Sequence, residues 1–128
     1  MGSAQLISGW LLLALAIVAN VIANISLKIA AVSIKDVTDP LAIALRLATQ
    51  AYFWAGLVSC GVLFLAFFFA LRSVPVSLAY PIVTSLATVG LTVLDAMVLA
   101  TPIGLTRIIG IAFVLVGIAL VLNGTAVR

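Results

Sequence analysis

The stretch Ser77–Leu99, SLAYPIVTSLATVGLTVLDAMVL, holds a single charged side chain, Asp95, in an otherwise apolar or hydroxyl-bearing run. Its length covers about the 20 residues that a helix needs to cross the hydrocarbon core of a bilayer. Tyr80, Thr84, Thr88, Thr92 and Asp95 recur at steps of three and four, so a helix gathers all five within about a third of its circumference. One face of this span is therefore wet or paired. A charge at membrane depth is costly even on lenient insertion scales, which makes Asp95 a functional-site candidate. The run ends only a few residues on, near Ala100 and Thr101, so interfacial water is the alternative to a buried partner.

The rest of the chain repeats the apolar pattern. Of 128 residues, 66% are hydrophobic and 7% charged, and the mean hydropathy is +1.48, too little polar surface to cover a water-soluble globule. Apolar runs lie at about 6–30, 51–71, 77–99 and 107–122. They predict an all-α membrane protein: one domain, 1–128, folded as a four-transmembrane-helix bundle. The N-terminus lacks a basic segment and its apolar run is longer than that of a cleavable signal, so the first span is expected to stay.

The first loop has structure of its own. Asp39-Pro40 supplies a helix N-cap type and a first-turn proline, and Leu41 to Ala48 is apolar apart from Arg46, which predicts a short helix at about 40–49. It reads equally as an interfacial or re-entrant element and as a linker into the second span. The next loop, Arg72 to Val76, is so short that spans two and three are expected to be antiparallel neighbours.

Several functions are excluded. The chain has no His and one Cys, Cys60, in a small-residue context, so neither a disulfide nor a metal cluster is expected and Cys60 reads as packing. No cofactor motif is present. There is no Ser/His or Cys/His pair and no Gly-rich phosphate loop, so an enzyme is not expected. The six basic residues are scattered and fit no nucleic acid. They bear on orientation instead: alternating spans put Lys28, Lys35, Arg46 and Arg107 on one side and Arg72 and Arg128 on the other, favouring loops one and three inside.

Two further patterns concern packing. Asn20, Asn24 and Lys28 follow at four-residue steps on span one, so the asparagines are expected to reach the polar stripe of span three, as glue or as ligands. Lys28 reads as a snorkelling end residue. Gly110 and Gly117, flanked by Ala112 and Ala119, make a smooth ridge on span four, which predicts that two chains assemble there.

The segments Ala16–Lys28 (AIVANVIANISLK), Val74–Ile82 (VPVSLAYPI) and Thr101-Pro102 leading to Arg107–Ala112 (RIIGIA) resemble the small multidrug resistance branch of the drug/metabolite transporter superfamily. The similarity runs from about Leu11 to Leu122, and Pro75 to Pro81 is its most specific piece. It implies a multi-pass dimer of the bacterial inner (cytoplasmic) membrane working by alternating access. The departures carry information too. Where the proton-coupled exporters of the branch have a glutamate in helix one, this chain has Asn20, and it has no glutamate at all. Val83 replaces their tryptophan, and Ser85 and Ala87 replace their glycine pair.

The small flippase subunits that move undecaprenyl-phosphate-linked aminoarabinose are similar in these respects, and the loop from Asp36 to Gln50 resembles the extended first loop of one of them. On that resemblance Lys28 and Arg46 meet a lipid phosphate, while Asn20, Asn24, Tyr80 and Thr84 contact a sugar, with Thr88 and Asp95 on the same stripe. Three readings stay open. The first is a flippase or exporter for a lipid-linked sugar or similar amphiphile, as a homodimer or a heterodimer with a related small subunit. The second is a proton-coupled exporter of cationic drugs or polyamines, with Asp95 or a partner's acid as carrier. The third is a non-transporting accessory subunit.

Overall fold

A computed structural model describes residues 2–98 and 100–126 of the chain. Leu99 and Arg128, the latter part of the charge count for orientation, lie outside the described residues. Five helices follow in order: α1 (Ser3–Ser33), α2 (Pro40–Thr49), α3 (Ala51–Ala70), α4 (Val76–Val98) and α5 (Leu105–Ala126). α1, α3, α4 and α5 are long and apolar enough to cross a membrane, and α2 is the short apolar helix of the first loop. The all-helical four-span architecture expected from the sequence is thus present.

The packing is organised by α1. Gly9, Ala16, Ala23 and Ala30 are buried at seven-residue steps, with Leu13, Ala19 and Ser26 buried between them. A stripe repeating every 3.5 residues is the pattern of left-handed helix pairing, and small residues on it let backbones approach closely. α3 answers with buried Gly56, Ala66 and Ala70. A Cβ added to Gly56 would lie 2.7 Å from Leu27 Cγ and 3.3 Å from the Ala23 carbonyl oxygen. Only hydrogen fits there.

α4 lies on another side of α1, burying Ala79, Ile82, Val83 and Ala87. Gly90 continues that seam, since a Cβ on it would come within 3.1 Å of Val21 Cγ2. The core therefore runs through Leu13, Ala16, Ala66, Ala70, Val74, Ala79 and Val83, where all three helices converge near the α3–α4 turn. The expectation that spans two and three pack along each other is corrected here: away from their turn α3 and α4 scarcely touch. α1 carries the main contacts of both, because the small residues of α3 and α4 face its stripe. Near the turn Phe67 and Tyr80 meet edge to face, with ring centroids 6.5 Å apart.

α2 forms as its sequence dictates: Pro40 occupies the first turn, and the Ile43 amide donates to the Asp39 carbonyl at 3.0 Å. Gln50, in extended backbone, breaks α2 from α3. Its side-chain amide donates to the Ser33 hydroxyl at the end of α1, and Trp54 Nε1 donates to the Ala48 carbonyl at 2.9 Å. The joint is pinned, yet α2 buries none of its own side chains. α5 packs chiefly on α4, and among its described side chains Ile118 is buried.

Candidate functional site

Asp95 closes the last turn of α4 and faces α1. The residue is 8% exposed, and the Lys28 ammonium donates to its Oδ1. Arg107, in the first turn of α5, places Nη1 3.8 Å from Oδ2. Thr101 Oγ1 donates to the Asp95 backbone carbonyl at 3.2 Å, satisfying an acceptor at the helix end. Of the two options the sequence leaves for Asp95, the structure takes the buried partner. Lys28 is that partner, which corrects its reading as a snorkelling end residue.

The balance of charge decides what this cluster can do. One carboxylate stands against an ammonium and a guanidinium, and both cationic side chains remain 46% exposed. The sum is one net positive charge facing a cavity of about 260 Å³ lined by Asn24, Ile25, Lys28, Leu91, Asp95 and Arg107. Removing the acid would leave two cations together, and removing both cations would strand a carboxylate at the edge of the membrane.

A second cavity, also about 260 Å³, opens between α1, α3 and α4. Asn20, Tyr80 and Thr84 are its polar lining, and Leu63, Phe64, Phe67 and Val83 its apolar walls. No acid lines it. Asn24 Nδ2 donates to the Asn20 side-chain oxygen at 2.6 Å and to the Asn20 carbonyl at 2.8 Å. The two asparagines thus bond each other instead of the α4 stripe, because four-residue spacing stacks them on one helix face.

The threonines also turn inward on their own helix. Thr84, Thr88 and Thr92 hydroxyls donate to the carbonyls of Tyr80, Thr84 and Thr88 at 2.9, 2.7 and 2.9 Å, the usual local solution for hydroxyls in membrane helices. Of the five-residue stripe, Thr92 and Asp95 are buried, Tyr80 and Thr84 line the second cavity, and Thr88 is exposed beside neither cavity.

A family model described as Small Multidrug Resistance protein matches residues 8–114. The chain belongs to the small multidrug resistance family. No curated protein and no solved structure matches it. Members of the small multidrug resistance family are transporters rather than enzymes and generally act as oligomers, so this chain is a multi-pass membrane transporter in the general sense.

One expected binding residue of this family member, Arg46, stands apart from the cluster. Arg46 is exposed on α2, makes no ion pair among the described residues and does not line the cavity beside Lys28. The cation that does accompany Lys28 is Arg107, which sequence reasoning used only for orientation. Its signal was available: a lone acid ending span three and an arginine opening span four, separated by a short loop, face the same membrane surface. Gly110 and Gly117 meet nothing within 4 Å of an added Cβ, so their ridge is unpacked within the single chain.

Proposed function

We propose that this small multidrug resistance family member moves an amphiphile with an anionic or sugar-bearing head group, of the lipid-linked sugar class, across the bacterial inner membrane as a dimer. One observation carries the reading. Asp95, the sole acid in the four spans, is already held between Lys28 and Arg107, leaving net positive charge beside a cavity. A cationic solute finds no free carboxylate there, whereas a phosphate finds two exposed donors of strong, charge-assisted hydrogen bonds.

The second cavity suits the remainder of such a head group. Asn20, Tyr80 and Thr84 offer neutral hydrogen-bonding groups, and the aromatic wall of α3 offers an apolar flank. The tail stays in lipid. Gly110 and Gly117 supply the ridge on which a second chain packs, and α2 lies in the interface with Leu41 and Leu45 toward the acyl region.

Native mass spectrometry of the protein released from gently extracted membranes tests this. A dimer retaining a polyprenyl phosphate or its glycosylated form is expected. A dimer that takes up quaternary cations instead overturns the reading in favour of proton-coupled export of drugs or polyamines. A monomer retaining neither points to an accessory subunit.

A further inference from the structure

A third cavity lies at the opposite end of the bundle from the Lys28 cluster. It measures about 370 Å³ and is lined by Gln5, Ser8, Leu12, Phe69, Arg72 and Ser73. Between Ser8 and Lys28, α1 climbs about 30 Å at 1.5 Å per residue, roughly the thickness of the hydrocarbon core. The two sites therefore sit at opposite membrane surfaces.

The charge environment of Arg72 is unusual for this chain. The three acidic side chains are Asp36, Asp39 and Asp95. The first two follow α1 and the third ends α4, so all lie toward the Lys28 end. Arg72 makes no ion pair among the described residues. The Ser8 hydroxyl donates to the Gln5 carbonyl at 2.8 Å and keeps its lone pairs, while the Gln5 amide and Ser73 hydroxyl add donors to the lining.

The cavity is built on fixed backbone. A Cβ on Gly9 would fall 2.9 Å from Ser73 Cβ and 3.2 Å from Val74 Cγ2, so α1 presses directly on the α3–α4 turn. Within the turn, Arg72 N donates to the Phe69 carbonyl at 3.2 Å, and Ser73 N and Val74 N donate to the Ala70 carbonyl at 3.0 and 2.9 Å. Leu12 and Phe69 give the donors an apolar flank. A cation carried on fixed backbone, with hydroxyl and amide donors, no acid and an apolar wall, matches a tetrahedral oxyanion attached to a lipid chain.

We propose that this cavity is a second anion site, taking a phosphate-class head group at the surface opposite Lys28 and Arg107. The inference rests on the transport reading above and extends it: the path begins and ends on a cation, with the neutral Asn20 cavity between. An exchange of the head group from one arginine-bearing end to the other follows from that arrangement.

The test uses the full chain in phosphatidylcholine nanodiscs, titrated with short-chain phosphatidic acid and read by native mass spectrometry, with inorganic phosphate as competitor. Loss of one charge-assisted contact predicts about tenfold weaker binding for Arg72→Gln, with Arg72→Lys keeping most of the affinity. Ser73→Ala, which leaves the turn's backbone bonds intact, is expected to weaken binding by about threefold. Lys28→Gln with Arg107→Gln removes the other binding step and leaves the Arg72 step in place. Phosphatidic acid that withstands millimolar phosphate identifies a lipid head group as ligand; displacement identifies free phosphate at the same anion site. Folded Arg72→Gln and Ser73→Ala proteins with unchanged titrations overturn the second site, even where the Lys28/Arg107 variant still weakens binding and the transport reading stands. Loss with Arg72→Gln and Ser73→Ala but not with the Lys28/Arg107 variant upholds the second site and removes the Lys28 cluster from the transport reading.

Discussion

The Lys28 ammonium donates to the Asp95 carboxylate across the α1–α4 interface, joining residues 67 positions apart in the chain. Arg107 approaches the other carboxylate oxygen from α5, so one acid ties together three of the four spans at one membrane surface. The pair is both a structural clasp and the reason that this acid is unavailable to a cationic solute.

Asp95→Asn is expected to lower the unfolding midpoint in detergent, because it leaves two neighbouring cations without their counter-charge. Lys28→Met restores part of the loss when combined with it, and a double-mutant cycle on thermal unfolding reads the coupling. Additive effects would show that the two side chains do not interact.

Gly56→Leu is expected to separate α1 from α3, since even a Cβ there meets Leu27 at 2.7 Å. Overpacking of this kind costs about 1–3 kcal/mol or more, measurable by unfolding in mixed micelles. Gly110→Leu and Gly117→Leu face open space in the single chain and are expected to leave its unfolding unchanged while shifting the dimer to monomer in native mass spectra.

Thr88→Val removes a hydroxyl already bonded to the Thr84 carbonyl, so transport and stability are expected to change little. Asn20→Ala and Tyr80→Ala strip polar groups from the second cavity and are expected to slow transport by at least about tenfold at unchanged protein level. Flux measured in vesicles distinguishes the two classes of residue.

Ala100 follows α4 with φ of 50°, a left-handed conformation that costs a residue with a Cβ roughly 1–2 kcal/mol. Ala100→Gly relieves that strain at the price of a freer unfolded chain. A gain of about 0.5 kcal/mol in unfolding free energy is expected.

The four spans and α2 were legible because apolar length and the Asp39-Pro40 signal are local properties. Asp95 stood out for the same reason, as a lone acid in an apolar run. Its partners did not, because nothing local links Lys28 to a residue 67 positions away, and Arg107 reads on its own as a loop charge. The asparagine pattern was seen but assigned across helices, whereas four-residue spacing let Asn24 bond Asn20 within α1. Gly9 and Gly56 were passed over in favour of Gly110 and Gly117, since a glycine's packing depends on which side chain lies opposite. For Gly56 that is Leu27, a choice made only when α1 and α3 dock.

Whether Asp95 carries the solute decides between lipid and cation transport. Vesicles containing wild-type or Asp95→Asn protein, loaded with a fluorescent polyprenyl-phosphate lipid or with a quaternary ammonium dye under an imposed proton gradient, measure this directly. Lipid translocation by the wild type that persists in Asp95→Asn and is lost in Lys28→Gln with Arg107→Gln is the predicted result. Gradient-driven dye flux that disappears with Asp95→Asn, with no lipid movement in either protein, would contradict it.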